Sequence, residues 1–222
     1  MPGNRTRGQR AGLTRQSILE AALALADREG LKALSMRRLG AELGVEAMTL
    51  YHHVASKDAL LDGVVEQVFA EVAPPRFQAA SWRADLRDYA GALLTALLAH
   101  PNVVPLVVSR PATTPRNLQA MENALASLRT AGFPLDRALD VLYAISGFVV
   151  GHVAAEVDPA RRDDRRTATD RLHPLLDLDP DEFPLLTAAA RTERPRSGAD
   201  SRFDFALEAM LAGFDAARRP ES

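Results

Sequence analysis

The chain has no cysteine among its 222 residues. That excludes a disulfide framework, a cysteine-ligated zinc and a thiol nucleophile, and it is compatible with a reducing compartment. No uninterrupted apolar run reaches the roughly 18 residues needed to cross a bilayer. The opening residues, MPGNRTRGQRAG, lack the apolar centre of a secretory signal, so a cytoplasmic location is expected. No stretch alternates apolar with polar residues between turn signals, so no sheet is expected either. Also missing are a nucleophile elbow, a phosphate-cradling glycine loop and a histidine-carboxylate cluster with catalytic spacing. These absences argue against an enzyme: no catalytic residue, cofactor or metal ligand is assigned.

What is present is unevenly distributed. The net charge is only −2, but residues 1–57 hold nine Lys/Arg against five Asp/Glu, while the remainder holds 18 against 24. A basic head on an acidic body suggests that the head meets a polyanion which the body repels. With 47% hydrophobic residues, the chain can bury a substantial core, and its length fits a small domain plus a larger one.

Helical periodicity dominates. Residues 1–13 carry Arg5, Arg7 and Arg10 without large apolar side chains and read as a flexible basic arm. Ile18, Ala21, Ala22, Leu25 and Ala26 then mark one face of a helix ending at Gly30. Ser35 can cap a second helix ending near Leu43, and a third is expected from Glu46 to about His53. Ser56 caps a fourth, whose apolar stripe includes Leu60, Val64 and Val68 and which stops before Pro74 and Pro75. In the body, helices are expected after Ser81, from Pro115 to Gly132, from Pro134 to about Glu156 and from about Arg202 to Ala217. Asp179, Pro180 and Glu182 resemble a capping box opening a short helix. Residues 159–174 read as a mobile connection. The fold class is all-α, divided as an arm at 1–13, a head at 14–60 and a body at 61–222.

The informative constellation is SMRRLGAELGVEAMTLYHHVASK, residues 35–57. Small Ala41 stands where two helices must approach, Gly44 supplies a turn, and a second helix exposes side chains able to reach base edges and phosphates. This is helix-turn-helix spacing. Residues of about 14–60 resemble the DNA-binding head of the TetR family of repressors, and VEAMTLYHHVASKDALLDGV is especially similar to its tetracycline repressor branch. SWRADLR at 81–87, SRP at 109–111, AGFPLDRALDVLYAISGFVVG at 131–151 and FALEAMLAGF at 205–214 resemble the body of that branch.

The resemblance implies that Arg37, Ala47, Met48, Thr49, Tyr51, His52 and His53 face DNA, with Lys57 on the backbone. It also implies that helices 134–156 and 202–217 form a four-helix bundle with a second copy. Leu139, Leu142, Tyr143, Ile145, Phe148, Val149, Val150 and Val153 agree, since they surround more of a helix than one core face needs. The histidines and asparagine that hold tetracycline and its magnesium are replaced, with Ala73, Tyr89 and Leu106 aligning there, while Arg110 retains a matching arginine, so the implied effector is a largely apolar small molecule. Candidate ligand residues are Tyr89, Leu93, Leu106, Arg110, Leu118, Met121, Leu125 and Phe148. The expected function is a ligand-responsive repressor, a homodimer on a palindromic operator in double-stranded DNA; the alternative is a DNA-binding regulator or architectural protein without an effector. Adjacent His52 and His53 diverge by about 100° on a helix and cannot chelate one ion together. His152 and Glu156 share a face but read as a polar edge of the bundle.

Overall fold

The computed structural model describes residues 13–72, 81–110, 113–157, 173–192 and 198–218. Within them every regular element is a helix: α1 (Arg15–Glu29), α2 (Met36–Glu42), α3 (Ala47–Leu50), α4 (Lys57–Glu71), α5 (Trp82–Ala99), α6 (Val104–Ser109), α7 (Pro115–Thr130), α8 (Leu135–Val157), α9 (His173–Leu176), α10 (Pro184–Arg191) and α11 (Gly198–Ala217). The expected basic arm, except Leu13, falls outside the described residues, as do Ala73, the Pro74–Pro75 pair and most of the connection at 159–174. The chain divides into two compact units, with the boundary between Ser127 and Leu128.

In the first unit, short hydroxyl side chains start the helices. The Thr14 hydroxyl accepts from the Ser17 amide, and Ser17 returns the bond to the Thr14 amide. Ser35, Ser56 and Ser81 accept from the amides of Arg38, Ala59 and Ala84. Each such cap satisfies an orphan donor and contributes about 1 kcal/mol. Helix α1 packs against α4, where Leu19 lies directly on Gly63 because no Cβ stands there. Ile18, Leu25, Leu34, Leu39, Leu50, Leu60 and Val64 are fully enclosed and make the core of this region. Farther along, α5 buries Leu86, Ala90, Leu93 and Leu97.

In the second unit, α8 and α11 pack together. Phe148 stacks on Phe203 with ring centroids 5.1 Å apart, and His152 meets the same ring at 5.2 Å. Leu207, Leu211, Ala138, Ile145, Val149 and Val153 fill the interior. Arg218 closes the far end, donating to the Ala131 carbonyl at 2.9 Å with its guanidinium over Phe133. Outside this core, α8 leaves Leu135 and Tyr143 exposed and α11 leaves Phe205 exposed.

Four expectations need correction. Helix α6 was not foreseen; Pro105 sits in its first turn, where a missing amide costs nothing. The third helix is α-helical only over Ala47–Leu50, and the chain continues through turns to His53. No capping box forms at Asp179, whose carboxylate instead accepts the Asp181 amide in a local turn, and α10 begins at Pro184 after an uncapped Phe183. Finally, α8 is a 23-residue helix long and apolar enough by length and composition to cross a membrane. Asp140 and His152 interrupt its apolar run in the sequence without lowering its mean hydropathy much.

Candidate nucleic-acid interface

The helix-turn-helix is assembled by backbone geometry. Helix α2 ends at Glu42 with Leu43 as its C-cap, and Gly44 takes φ +66°, the left-handed conformation a side chain disfavours. The Val45 amide then donates back to the Gly40 carbonyl at 2.9 Å. Gly40, not Ala41, is the point of close approach: a Cβ at Gly40 would stand 2.8 Å from the Val45 carbonyl oxygen, whereas Ala41 is exposed. Sequence periodicity could not say which of two adjacent small residues faced inward.

From Glu46 the chain forms α3, then tightens. The His52 amide donates to the Thr49 carbonyl, and both His53 and Val54 amides donate to Leu50. Buried Leu50 and Val54 anchor this segment from beneath. The side chains above are open: Met48 is 69% exposed and Tyr51 42%, His52 and His53 are exposed, and Ala47 and Thr49 are half-buried. Arg37 on α2 and Lys57 at the first turn of α4 are also exposed. The structure therefore gathers the eight residues expected at DNA on α2, on the α3 segment and at the start of α4.

An ion-pair network braces this surface from behind. Arg38 on α2 bonds Glu29 at the end of α1 (2.6 Å) and Glu42 (2.9 Å), and Arg28 also reaches Glu42 at 2.9 Å. Hydrogen bonds from Arg38 and Arg28 hold the Glu42 carboxyl below its ordinary range. Arg37, the neighbour of Arg38, is exposed.

The residues expected at a ligand are more dispersed in character. Leu93 and Leu106 are buried in the first unit, Tyr89, Met121 and Leu125 are half-buried, and Leu118 is exposed. Phe148 lies in the second unit against Phe203. Arg110 is engaged with α4, donating to Asp58 and Asp62, each at 2.6 Å. A cleft of about 440 Å³ in the first unit contains none of these residues; Glu20, Asp27, Gln67, Glu71, His100 and Arg116 are among its lining. Among the described residues, no group of three or more His, Asp or Glu side chains could hold a metal ion.

Comparison with known proteins agrees with this geometry. Residues 18–64 match the family described as bacterial regulatory proteins, tetR family, and residues 74–218 match the tetracyclin repressor-like, C-terminal domain. An HTH-type transcriptional regulator of Saccharopolyspora erythraea is 34% identical over 92% of this chain and 85% of its own length. The tetracycline repressor protein class E of Escherichia coli is 32% identical over 93% of this chain and 92% of its own. The crystal structure of the Streptomyces coelicolor TetR family protein ActR in complex with actinorhodin superposes with a TM-score of 0.81 at 32% identity, covering 93% of this chain and 97% of that one. A helix-turn-helix with an open reading face, followed by a helical body matched along nearly all its length, makes this chain a member of the TetR family of ligand-responsive, DNA-binding transcriptional repressors.

Proposed function

We propose that the protein is a cytoplasmic, non-enzymatic repressor that binds a palindromic operator as a homodimer and leaves it when a small, largely apolar effector binds. The observation that carries the DNA-binding part is the exposure of Met48 and Tyr51, large side chains held outward above a segment anchored by Leu50 and Val54. A monomer has no reason to leave them in water, whereas a major groove offers thymine methyl groups and phosphates for them. Residues 14–60 serve as the DNA-binding domain after a basic arm at 1–13, and 61–222 as the sensing and dimerising domain.

Within the interface, Met48 and Thr49 address base edges and Tyr51 and Lys57 address the backbone, while Arg37, Ala47, His52 and His53 also face DNA. The exposed apolar residues of α8 and α11 pair with a second copy, placing two recognition segments about 34–36 Å apart, one turn of DNA. Tyr89, Leu93, Leu106, Leu118, Met121, Leu125 and Phe148 are offered to the effector. Several polar holders of the tetracycline branch have apolar or aromatic counterparts here, so an organic molecule of moderate size fits better than a metal chelate. Inducer and operator then weaken each other's binding by the same factor, with coupling of about 1–3 kcal/mol.

Selection from a random duplex pool tests the first step: an inverted repeat should be enriched, and the purified protein should bind it far more tightly than bulk DNA. Enrichment without any two-fold symmetry contradicts the dimeric operator. Calorimetry with a compound that raises the melting temperature tests the second. Equal affinity of that compound for free and operator-bound protein is the result that rules out induction and leaves a regulator without an effector.

A further inference from the structure

Helix α7 turns one face inward. Asn117, Met121, Ala124 and Leu128 recur at the three- and four-residue steps of a single helix face; Asn117, Ala124 and Leu128 are buried and Met121 is half-buried. Leu118, one position on, is exposed, so the polar residue of this turn is the one enclosed. Only 8% of Asn117 is exposed, and its Nδ2 is sealed from solvent without a hydrogen-bond partner. Helix formation does not call for this side chain. The first turn is already served by Thr114, whose hydroxyl accepts from the Asn117 amide at 3.4 Å and whose carbonyl accepts from the Leu118 amide at 2.9 Å. Asparagine is also a poorer helix former than the alanine or leucine that could fill the same place.

An enclosed amide nitrogen with no acceptor has given up its water without return, a cost that native folds rarely carry unless something else supplies the acceptor. A buried water needs about two to four polar partners, and the face of α7 beyond Asn117 offers Met121, Ala124 and Leu128 instead. We infer that Asn117 Nδ2 donates to a carbonyl oxygen of the effector, which is therefore an apolar skeleton carrying a carbonyl at one edge. Met121 follows Asn117 by about one helical turn and Leu125 by about two, so a molecule lying along α7 sets its apolar flank on these two while its oxygen meets the amide. One polar group in an apolar wall fixes the orientation of what binds there. A molecule of the same shape without the carbonyl leaves the amide idle and forfeits that part of its affinity. The inference rests on the effector reading above and narrows its chemistry from a largely apolar molecule to one with an acceptor at a fixed point.

The test uses the full-length protein and matched probes that differ only in the acceptor, fluorene against fluorenone and diphenylmethane against benzophenone, with binding read by equilibrium dialysis. The wild-type protein should bind the ketone of each pair about tenfold more tightly than the hydrocarbon, the difference that one restored hydrogen bond supports. Asn117→Leu keeps the branched shape and removes the donor; the preference for the ketone should vanish while hydrocarbon affinity holds or rises. Where the added bulk keeps that variant from folding, Asn117→Asp decides, since it has nearly the native size and no N–H, and it should bind the ketone no better than the hydrocarbon. Equal affinity of the wild-type protein for both members of each pair overturns the donor. So does failure to bind any of the four probes, or a ketone preference that survives substitution. Adding operator duplex separates this inference from the effector reading. Fluorene and fluorenone that bind equally and both release the operator leave an effector but remove the donor, whereas fluorenone that binds through Asn117 without weakening operator binding keeps the donor and removes induction.

Discussion

Gly40 and Gly91 both lie inside helices, yet a methyl group at each should act in opposite directions. At Gly91 in α5 nothing stands within 4 Å of a Cβ position, so Gly91→Ala should stabilise the fold by about 0.5–1 kcal/mol through helix propensity. At Gly40 the methyl would press on backbone atoms of Val45 and Ala47, which cannot rotate away as a side-chain tip can. Gly40→Ala should destabilise by about 1–3 kcal/mol and displace the reading segment, and urea denaturation of the two variants checks both signs. The residues proposed to touch DNA should divide in a similar way. Lys57→Ala should weaken binding to all sequences and reduce the salt slope by about one for each lost phosphate contact. Thr49→Ala or Met48→Ala should instead change the preferred base by about 1–3 kcal/mol at one position. Competition binding with operator variants separates these outcomes, and identical profiles for both groups refute the division. The exposed members of this set were legible through the resemblance of residues 35–57 to the family's head, and buried Leu50 and Val54 are what the structure adds beneath them. The partners of Arg110 were not, since Asp58 and Asp62 lie about fifty residues away and only packing brings them near.

Among elements, helices opened by a hydroxyl cap were readable to within a residue or two, as Ser35, Ser56 and Ser81 demonstrate. Helix α6 was not, because six mostly apolar residues are too few to establish a period and a proline within so short a stretch imitates a break. Yet this short element lies beside His100, which ties Asp27 of α1 to Glu71 of α4. The His100 side chain is 13% exposed. Burial opposes its charged form, but hydrogen bonds to Asp27 and Glu71 outweigh that cost and raise its pKa. Glu20 and Arg116 also line the cleft, so three carboxylates stand against one guanidinium around the imidazole. A raised folded-state pKa means that the folded protein binds this proton more tightly than the unfolded chain does. The resulting stability is fully present below the unfolded value of about 6.5 and is lost as pH rises through the folded value. Denaturation midpoints measured between about pH 6 and 9 should therefore decline more steeply for wild type than for His100→Gln. Parallel curves for the two proteins refute this role for the histidine.

For the whole molecule, assembly is the open term. Phe205 is 77% exposed on α11 and Tyr143 61% on α8, and only a third of the most apolar 18-residue window of α8 is buried within one chain. Burying a phenylalanine contributes about 1.5–3 kcal/mol, and a two-fold interface counts it twice. Phe205→Lys should therefore yield monomers at micromolar concentration in light scattering, with a melting temperature that no longer rises with protein concentration. A variant that remains dimeric with wild-type stability locates the interface elsewhere. The charge division has meaning at this scale as well: a head carrying +4 and a body carrying −6 orient the protein as it approaches DNA, an effect that salt screens. The unpaired face of α8 also bears on the lifetime of each newly made chain. Until a partner covers it, this helix displays the long apolar surface by which chaperones and proteases recognise an unfinished protein. With the proposed pairing, solitary copies would be cleared while pairs persist, and the cell's stock of active regulator would be filtered for completed assembly before any of it reached an operator.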